Sequence, residues 1–398
     1  MKKLFKYIFH FDHLAVCLST FAMVGLLSVV TFNLDILNPV ADALDNFSPS
    51  DIFFDIEHSG SEPKQCDMIT IVDMTELHQR GDIAMLFEEI NMNDPLLVGV
   101  DLIFEGVKDD ALGNELLKGS VQGLSDAAVF SRKLIDYDSE QDTFTGSVRS
   151  FFAEDLGVKE AYTNLNSNMS GKVVREMSIR QSNNEEELLS FPAQLAAKFD
   201  ESLLNRENEN LIINYSNVSF PVVKWDEIAE NSDLIDGHIV LVGTMTEEQD
   251  MHMTPLGKMA GLELQAYSLL TLLEHKNIQK TPWWITVLLG LILCYLLALA
   301  IDSSEKLMDR HSNLGCITFL KESEIIVLIL IFIFVVLACW IAFSTFINHS
   351  IIIEVDIILA LLVILFEGRK MYIGLIRALC KKHNWKFLRN SIYYEEVK

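Results

Sequence analysis

Apolar residues fall into two patterns along this chain. Four runs are long and nearly continuous, at 14–32, 283–301, 325–347 and 351–366. About 20 apolar residues cross a bilayer, so we predict four transmembrane helices, one before and three after a central region. The last run is short and contains Glu354 and Asp356. We expect these two acids either to contact another span or a partner inside the membrane, or to mark a frayed helix start.

The central region, residues 33–282, has the shorter apolar runs of an α/β domain. Residues 67–74 and 96–104 read as buried strands, and apolar side chains recur at helical spacing over 75–93 between them. Strand, helix and strand in this order predict a parallel βαβ unit. Residues 239–242 form a third buried strand. We therefore predict a mostly parallel sheet flanked by helices.

Weaker patterns predict further elements in the same region. They are a short strand near 52–56, helix and strand pieces at 110–117 and 125–135, a helix over 191–199 and a strand over 211–215.

Charge fixes the membrane orientation. Residues 33–282 hold 45 of the 56 acidic residues and 17 of the 31 basic ones, a net charge of −28. The N-terminus (1–13), the loop 302–324 and the basic tail 367–398 are then cytoplasmic by the positive-inside rule. We predict a multi-pass protein of the bacterial inner membrane with an extracytoplasmic domain. The overall negative charge argues against nucleic-acid partners. Ala41-Asp42-Ala43 resembles a signal-peptidase site, so cleavage of the first span stays an alternative.

A helix is predicted directly before the second span. Leu262, Ala266, Leu269 and Leu273 recur at spacings of four, three and four, which places them on one face of an amphipathic helix. This helix starts after a polar loop and ends shortly before Trp283. Gly261, Leu262, Leu269 and Leu273 are therefore our candidates for passing a signal from the domain to the membrane.

The same stretch resembles a known family. Gly237, the run IVLVGT, Asp250, Thr254-Pro255 and Gly261-Leu262-Glu263 occur in the order found at the end of the CHASE domain of type two, an extracellular sensing domain of bacterial membrane receptors. The strand containing Ile71-Val72-Asp73 and the run GVDLIF resemble the opening of that domain, and residues 157–179, with Gly171 in the turn, resemble its outer hairpin. The resemblance thus covers a domain core of about 45–280. The resemblance implies a sensor rather than an enzyme. Family members usually carry an output domain after the last span, so we expect this chain to signal through a separate cytoplasmic or membrane protein.

Candidate ligand residues follow the predicted strands. Ligands of doubly wound sheets bind beyond the carboxyl ends of parallel strands. Such ends are found at Asp73, Asp101 and Thr244, and Asp250 and Thr254 follow in the next loop. If the strands are neighbours, Asp73, Asp101 and Asp250 converge, and such carboxylates suit Ca²⁺ or Mg²⁺.

Plainer roles compete with this site. Asp73 can open a capping box with Glu76, Asp101 can bind loop amides, and Asp250 can form a turn. His252 is either a pH-sensitive group or a solvated loop residue.

Three functions are compatible with these patterns. The first is a sensor subunit that relays an extracytoplasmic ligand or envelope state. The second is a non-sensing membrane scaffold that recruits a partner, and the third, disfavoured because no nucleophile motif is present, is an envelope hydrolase. Cys66 is the sole cysteine of residues 33–282. A disulfide there would link two copies, which leaves a homodimer open.

Overall fold

The computed structural model describes residues 7–33, 48–165, 173–184, 186–204, 210–274, 278–310, 315–382 and 390–393. These residues form two compact units. One unit is Ser50–Ile278, and the other combines Met1–Pro49 with Gln279–Lys398. The predicted turn at Gly171 and the Ala41-Asp42-Ala43 sequence lie outside the described residues.

The secondary structure is mixed α/β. The helices are α1 (Phe11–Asn33), α2 (Pro49–Gly60), α3 (Arg80–Met92), α4 (Ala111–Leu124), α5 (Ala153–Leu156), α6 (Phe191–Phe199), α7 (Gly261–Leu273), α8 (Trp283–Arg310), α9 (Gly315–Glu322), α10 (Ile325–His349) and α11 (Asp356–Lys382). The strands are β1 (Lys64–Gln65), β2 (Ile69–Asp73), β3 (Leu97–Val100), β4 (Ala128–Asp138), β5 (Thr143–Val148), β6 (Glu160–Tyr162), β7 (Glu176–Ser178), β8 (Arg180–Asn183), β9 (Glu186–Leu189), β10 (Asn210–Ile212), β11 (Val218–Ser219), β12 (Val222–Lys224), β13 (Ile239–Gly243), β14 (Met251–Thr254), β15 (Gly257–Ala260), β16 (Gln279–Lys280) and β17 (Ile351–Ile352).

The central unit is built on one sheet with the strand order β12-β2-β13-β3-β4-β5-β8-β9, and β6 pairs with β4 beside this path. The strands β12, β2, β13, β3 and β4 pair in parallel. The pairs β4–β5 and β8–β9 are antiparallel. Every residue of β3 and β13 is buried, as expected for strands that are covered on both faces.

Helices pack on both faces of this sheet. Alternate strand residues, including Val72, Val98 and Val242, form a core with the apolar sides of α3 and α4. On the other face, a Cβ at Gly99 would lie 2.8 Å from atoms of both Phe191 and Leu195. Glycine at this position therefore lets α6 approach β3 closely. The result is a three-layer domain.

The segment after the first apolar helix differs from the prediction. A short strand was predicted near residues 52–56, but Pro49–Gly60 is the helix α2. Proline fits the first turn of a helix, and Asp51 in that turn interacts favourably with the positive helix end. The Asp51 carboxylate also accepts two hydrogen bonds from Arg175, at 2.9 and 2.6 Å. This ion pair fixes α2 on the central domain.

Among the described residues of the other unit, three helices are long and apolar enough to cross a membrane: Phe11–Val29, Trp283–Arg310 and Ile325–His349. They correspond to the first three predicted spans. Two of them pack on α11: the Ser19 hydroxyl donates to the Gly368 carbonyl at 2.9 Å, and a Cβ at Gly290 would lie 3.1 Å from Leu361.

The fourth predicted span, residues 351–366, is not among these three helices, and its bounds also differ in the structure. Ile351–Ile352 is a short strand that pairs in parallel with Gln279–Lys280, and α11 begins only at Asp356. Glu354 therefore precedes this helix, where it is half exposed and lies 4.0 Å from the Lys280 amine. Asp356 opens the helix, where its negative charge interacts favourably with the positive helix end. The two acids stand at the helix start and not in its interior.

Candidate functional site

The three strand ends chosen from the sequence lie side by side. Strand β13 runs between β2 and β3, with Gly243 paired to Asp73. The amide of Asp101 donates to the carbonyl of Val242 at 2.8 Å. The residues that follow these strands therefore meet at one edge of the sheet, although the side chains face different surroundings.

Asp73 is engaged with its own loop. Its Oδ1 accepts hydrogen bonds from the amide of Thr75 at 2.9 Å and from the Thr75 hydroxyl at 2.5 Å. The Thr75 hydroxyl accepts in turn from the amide of Met245 at 2.9 Å. The predicted capping box with Glu76 is wrong, because α3 begins at Arg80 and has Gln79 as its N-cap. Asp73 instead holds a turn against the loop after β13.

Asp101 is a partly buried carboxylate with one strong donor. The Ser131 hydroxyl donates to its Oδ1 at 2.7 Å. Burial raises the pKa of Asp101 to about 6, since the ionised form loses solvation. The Ser131 hydrogen bond opposes this rise, the charge of Asp250 adds to it, and His252 lowers the pKa.

Asp250 lies against the first residue of α7. A Cβ at Gly261 would be 2.6 Å from both carboxylate oxygens of Asp250, so only glycine leaves room for this contact. The positive end of the helix dipole stabilises a carboxylate in this position. His252 Nε2 is 3.5 Å from Asp250 Oδ1. The loop that carries the acid is thus in direct contact with the start of the helix.

Asp101 and Asp250 face a common cavity of about 370 Å³. Its wall is mostly polar and is formed by Asp101, Lys133, Thr163, Asn164, Leu165, Gln249, Asp250, His252, Gly261 and Gln265. Opposite charges and amides from at least four separate parts of the chain thus meet around one space. Such a wall suits a small polar ligand better than an apolar one.

Sequence reasoning missed Lys133, Asn164 and Gln265 in this wall. Gln265 carried a signal, because it interrupts the apolar run of α7 one turn after Gly261, and its side chain is 4 % exposed. Asn164 bonds both the amide and the carbonyl of Leu134, at 2.7 and 2.8 Å. Its place beside the cavity depends on that long-range pairing, which no local pattern indicates.

Thr244 and Thr254 do not line the cavity. The Thr254 hydroxyl donates to the carbonyl of Gly257 at 2.9 Å and accepts from the amide of Leu256 at 3.2 Å. These bonds close the turn between β14 and β15, where Gly257 has a φ of +99°. Thr254-Pro255 therefore shapes the hairpin that carries His252.

A cation site with three carboxylates is not assembled here. Among the described residues, no group of three or more His, Cys, Asp or Glu side chains is placed to hold a metal ion. Asp73 is turned to Thr75, which leaves Asp101 and Asp250 on the cavity. Binding of Ca²⁺ or Mg²⁺ therefore depends on these two acids and stays a prediction.

Helix α7 differs from the predicted amphipathic helix because it is buried on nearly all sides. All its residues except Glu263 and Leu273 are buried. Leu262 packs on the end of β13, since a Cβ at Gly243 would be 3.2 Å from its two methyl carbons. Further along, the Tyr267 hydroxyl donates to the carbonyl of Val218 at 2.8 Å. Helix α7 is therefore a buried helix of the domain core.

The unit that combines Met1–Pro49 with Gln279–Lys398, which we call the membrane unit, contains a second polar site that sequence reasoning also missed. We call it the ionic cluster, and it consists of Asp12, His13, Asp302, Arg369, Tyr372 and Tyr393. Asp302 accepts from Arg369 Nε at 3.0 Å and from the Tyr393 hydroxyl at 2.7 Å, and His13 Nδ1 is 3.1 Å from its Oδ2.

Asp12 forms the second half of this cluster. It accepts from the Tyr372 hydroxyl at 2.7 Å and from the amide of Ile392 at 2.6 Å. The cluster thus connects α1, α8 and α11 with residues 390–393. A signal was present in the sequence, because Asp12, Asp302 and Arg369 each stand within a few residues of the predicted cytoplasmic end of an apolar run.

A comparison with known protein families finds a match to the model of the CHASE2 domain, over residues 22–301. This match covers well over half of the chain, and it includes the whole central unit. No curated protein and no solved structure matches the chain.

Proposed function

The chain belongs to the CHASE2 domain family, and from this premise we propose that it is a transmembrane sensor subunit of a bacterial signalling system. The family is one of extracellular sensing domains, which assigns sensing to the unit Ser50–Ile278. The domain responds to an extracytoplasmic ligand or to a state of the envelope. The membrane helices and the basic tail pass this response to a separate partner protein.

The contact between Asp250 and Gly261 carries this proposal. Asp250 is at once a wall residue of the cavity and the group that rests on the first turn of α7. A ligand that attracts or displaces this carboxylate therefore changes its contact with the first turn of α7. Helix α7 ends at Leu273, and only a short segment separates it from Trp283 in the next apolar helix.

The wall of the cavity favours a small, polar and at least partly cationic ligand. Asp101 and Asp250 supply negative charge, and the amides of Gln249 and Gln265 supply both donors and acceptors. A Ca²⁺ or Mg²⁺ ion bridging the two carboxylates with water is one such ligand. His252 lies near enough to Asp250 to make binding depend on its protonation.

Charge supports the proposed placement in the bacterial inner membrane. The central region carries a net charge of −28 and the remaining residues one of +3. Four spans, with α11 as the fourth, put the basic tail on the cytoplasmic side together with the N-terminus. The ionic cluster, which joins both chain ends to α8, then lies near the cytoplasmic face.

Disulfide trapping inside the membrane unit tests the relay. The pair Gly290→Cys and Leu361→Cys joins α8 to α11, where a Cβ at position 290 would lie 3.1 Å from the Leu361 side chain. We expect its oxidation rate in membrane vesicles to change when Ca²⁺, Mg²⁺ or acid pH is applied on the domain side. The Asp101→Asn and Asp250→Asn variants should suppress this change.

The matched control for these variants is Asp236→Asn, on an exposed turn away from the cavity. It should leave the response intact. An oxidation rate that stays constant under every condition, or that changes equally in the Asp101, Asp250 and Asp236 variants, would speak against a relay from the cavity. Calorimetry of the full chain with Ca²⁺ or Mg²⁺ tests separately whether the ligand is one of these cations. If the natural ligand is uncharged, the relay exists but neither ion gives heat of binding.

A further inference from the structure

The outer face of α4 is apolar, and no other described residues cover it. Leu112, Leu116, Gly119 and Gly123 follow one another at spacings of four, three and four, which places them on one side of the helix. Leu112 is 70 % exposed and Leu116 is 45 % exposed. Both leucines are turned away from the core that α4 forms with its other side.

Contacts among the described residues do not explain the two glycines of this face. Glycine inside a helix lowers its stability, because the unfolded backbone has more freedom to lose. Within the part of the chain that the structure describes, a Cβ at Gly119 would meet no atom within 4 Å, and one at Gly123 would meet only the Asn91 side chain at an ordinary 3.7 Å. Gly113 of the same helix differs, since a Cβ there would clash with the Asp110 carboxylate. Gly119 and Gly123 therefore have no steric role toward the described residues of the domain.

The face is complementary to itself. Leu112 and Gly123 lie at equal distances on either side of the midpoint of residues 112–123, and so do Leu116 and Gly119. In an antiparallel pair of α4 helices around a two-fold axis, each leucine is then opposite a glycine. Large residues opposite small ones let two helix backbones approach closely, and a two-fold axis requires such self-complementarity.

The polar side chains beside this apolar face are also complementary in the antiparallel pair. Glu115 and Gln122 are both exposed on this edge, whereas Lys118 is paired with Asp155 of its own chain at 2.9 Å. In the antiparallel pair, Glu115 is placed near Gln122 of the partner subunit. The carboxylate is an acceptor only, and the amide supplies a donor. Hydrogen bonding and shape thus favour the same partner.

We propose that two copies of this chain associate through the outer face of α4, as an antiparallel pair of helices. Met85 and Met92 of the adjacent helix α3, 60 % and 79 % exposed, add apolar area beside it. Anchoring in one membrane raises the effective concentration of the copies, so an interface of moderate area suffices. The proposal concerns assembly of the sensor domain and does not depend on the ligand cavity.

Cysteine crosslinking of the full chain in membranes tests the register. Two differently tagged chains, one with Leu116→Cys and one with Gly119→Cys, are co-expressed and oxidised. We expect at least ten times more mixed disulfide than between two chains with Val107→Cys, a position that is 75 % exposed outside the helix. Equal amounts in the two experiments would overturn the proposal.

Two substitutions test the interface without a crosslink. Gly119→Leu improves helix propensity and meets open space in one copy, so the domain stays folded. It should nevertheless lower the dimer fraction at least tenfold in light scattering of the detergent-solubilised chain. Leu116→Glu should do the same, whereas Leu96→Glu, at a position of nearly equal exposure (47 %), should not. A dimer that survives Gly119→Leu, or a chain that is monomeric in membranes and detergent, excludes this interface.

Discussion

Arg369 donates from Nε to Oδ1 of Asp302 at 3.0 Å, and the two side chains are 6 % and 3 % exposed. Arg369 also binds Glu305 through a second nitrogen, and its guanidinium lies 5.1 Å from the Tyr393 ring. A buried charge is stable only while its partners are present. The pair therefore holds α8, α11 and the segment around Tyr393 in one arrangement.

Removing one member of this pair should destabilise the membrane unit strongly. We expect Arg369→Gln to lower the free energy of unfolding by about 3–5 kcal/mol, because Asp302 is left buried without its main counter-charge. The measurement is thermal unfolding of the full chain in detergent.

The neighbouring residue gives the control. Lys370 pairs with Glu367 at 2.9 Å, but both side chains are about half exposed. Lys370→Gln should change stability by at most about 1 kcal/mol. Equal changes in the free energy of unfolding for the two substitutions would show that burial of the Arg369–Asp302 pair does not contribute to stability.

Gly261 should not tolerate a side chain while Asp250 is present. Gly261→Ala brings a methyl group to 2.6 Å from the Asp250 oxygens, and we expect a loss of about 1–3 kcal/mol in the stability of the central domain. Asp250→Ala in the same chain should restore most of this loss. Gly81→Ala, which meets open space near the start of α3, should be neutral or stabilising. If Asp250→Ala failed to rescue, the steric contact would not be the cause.

Stability should depend on pH through Asp101. The folded pKa of about 6 lies above the ordinary value of 3.8, so the folded state binds the proton more tightly. This contribution is fully present below about pH 4 and is lost as pH rises through 6. At one pKa unit per 1.36 kcal/mol, it amounts to about 3 kcal/mol at most, and partial solvation reduces it.

Denaturant unfolding of wild type and Asp101→Asn between pH 4 and pH 8 measures this contribution. The difference in stability between the two proteins should change across the interval, with the wild type gaining relative stability toward acid. Glu88→Gln, on the exposed side of α3, is the control for the loss of one carboxylate. A stability difference for Asp101→Asn that changes with pH no more than that for Glu88→Gln would show that the pKa of Asp101 is not raised.

Combined replacement of Asp73, Asp101 and Asp250 by Asn should separate a sensor from a scaffold. A scaffold keeps its partner and its output, since recruitment needs only the membrane unit and the tail. A sensor keeps the partner but loses the dependence of its output on envelope conditions. Affinity purification from membranes, followed by a comparison of the co-purified proteins with and without the three substitutions, measures both properties. Unchanged stimulus dependence in the triple variant would favour a site elsewhere.

The sequence by itself determined three helices that are long and apolar enough to cross a membrane, the acidic character of the central region and the buried strands. These features depend on composition and on periods of two or four residues, and such local patterns carry the hydrophobic driving force directly. The helix over 191–199 and the strand ending at Gly243 have the predicted bounds or differ from them by one residue. The family could be recognised for the same reason, because its motifs are short and contiguous.

Only the tertiary structure decided which polar groups meet. The order β2-β13-β3 brings Asp101 to Asp250, and a bond from Asn164 to Leu134 completes the cavity wall. Helix α7 looked amphipathic, but layers on several sides bury it. Asp12 and Asp302 are 290 positions apart in sequence and share one cluster. Contacts of this kind depend on the packing of the whole chain, since each buried polar group needs a hydrogen-bond partner and that partner can come from any part of the sequence.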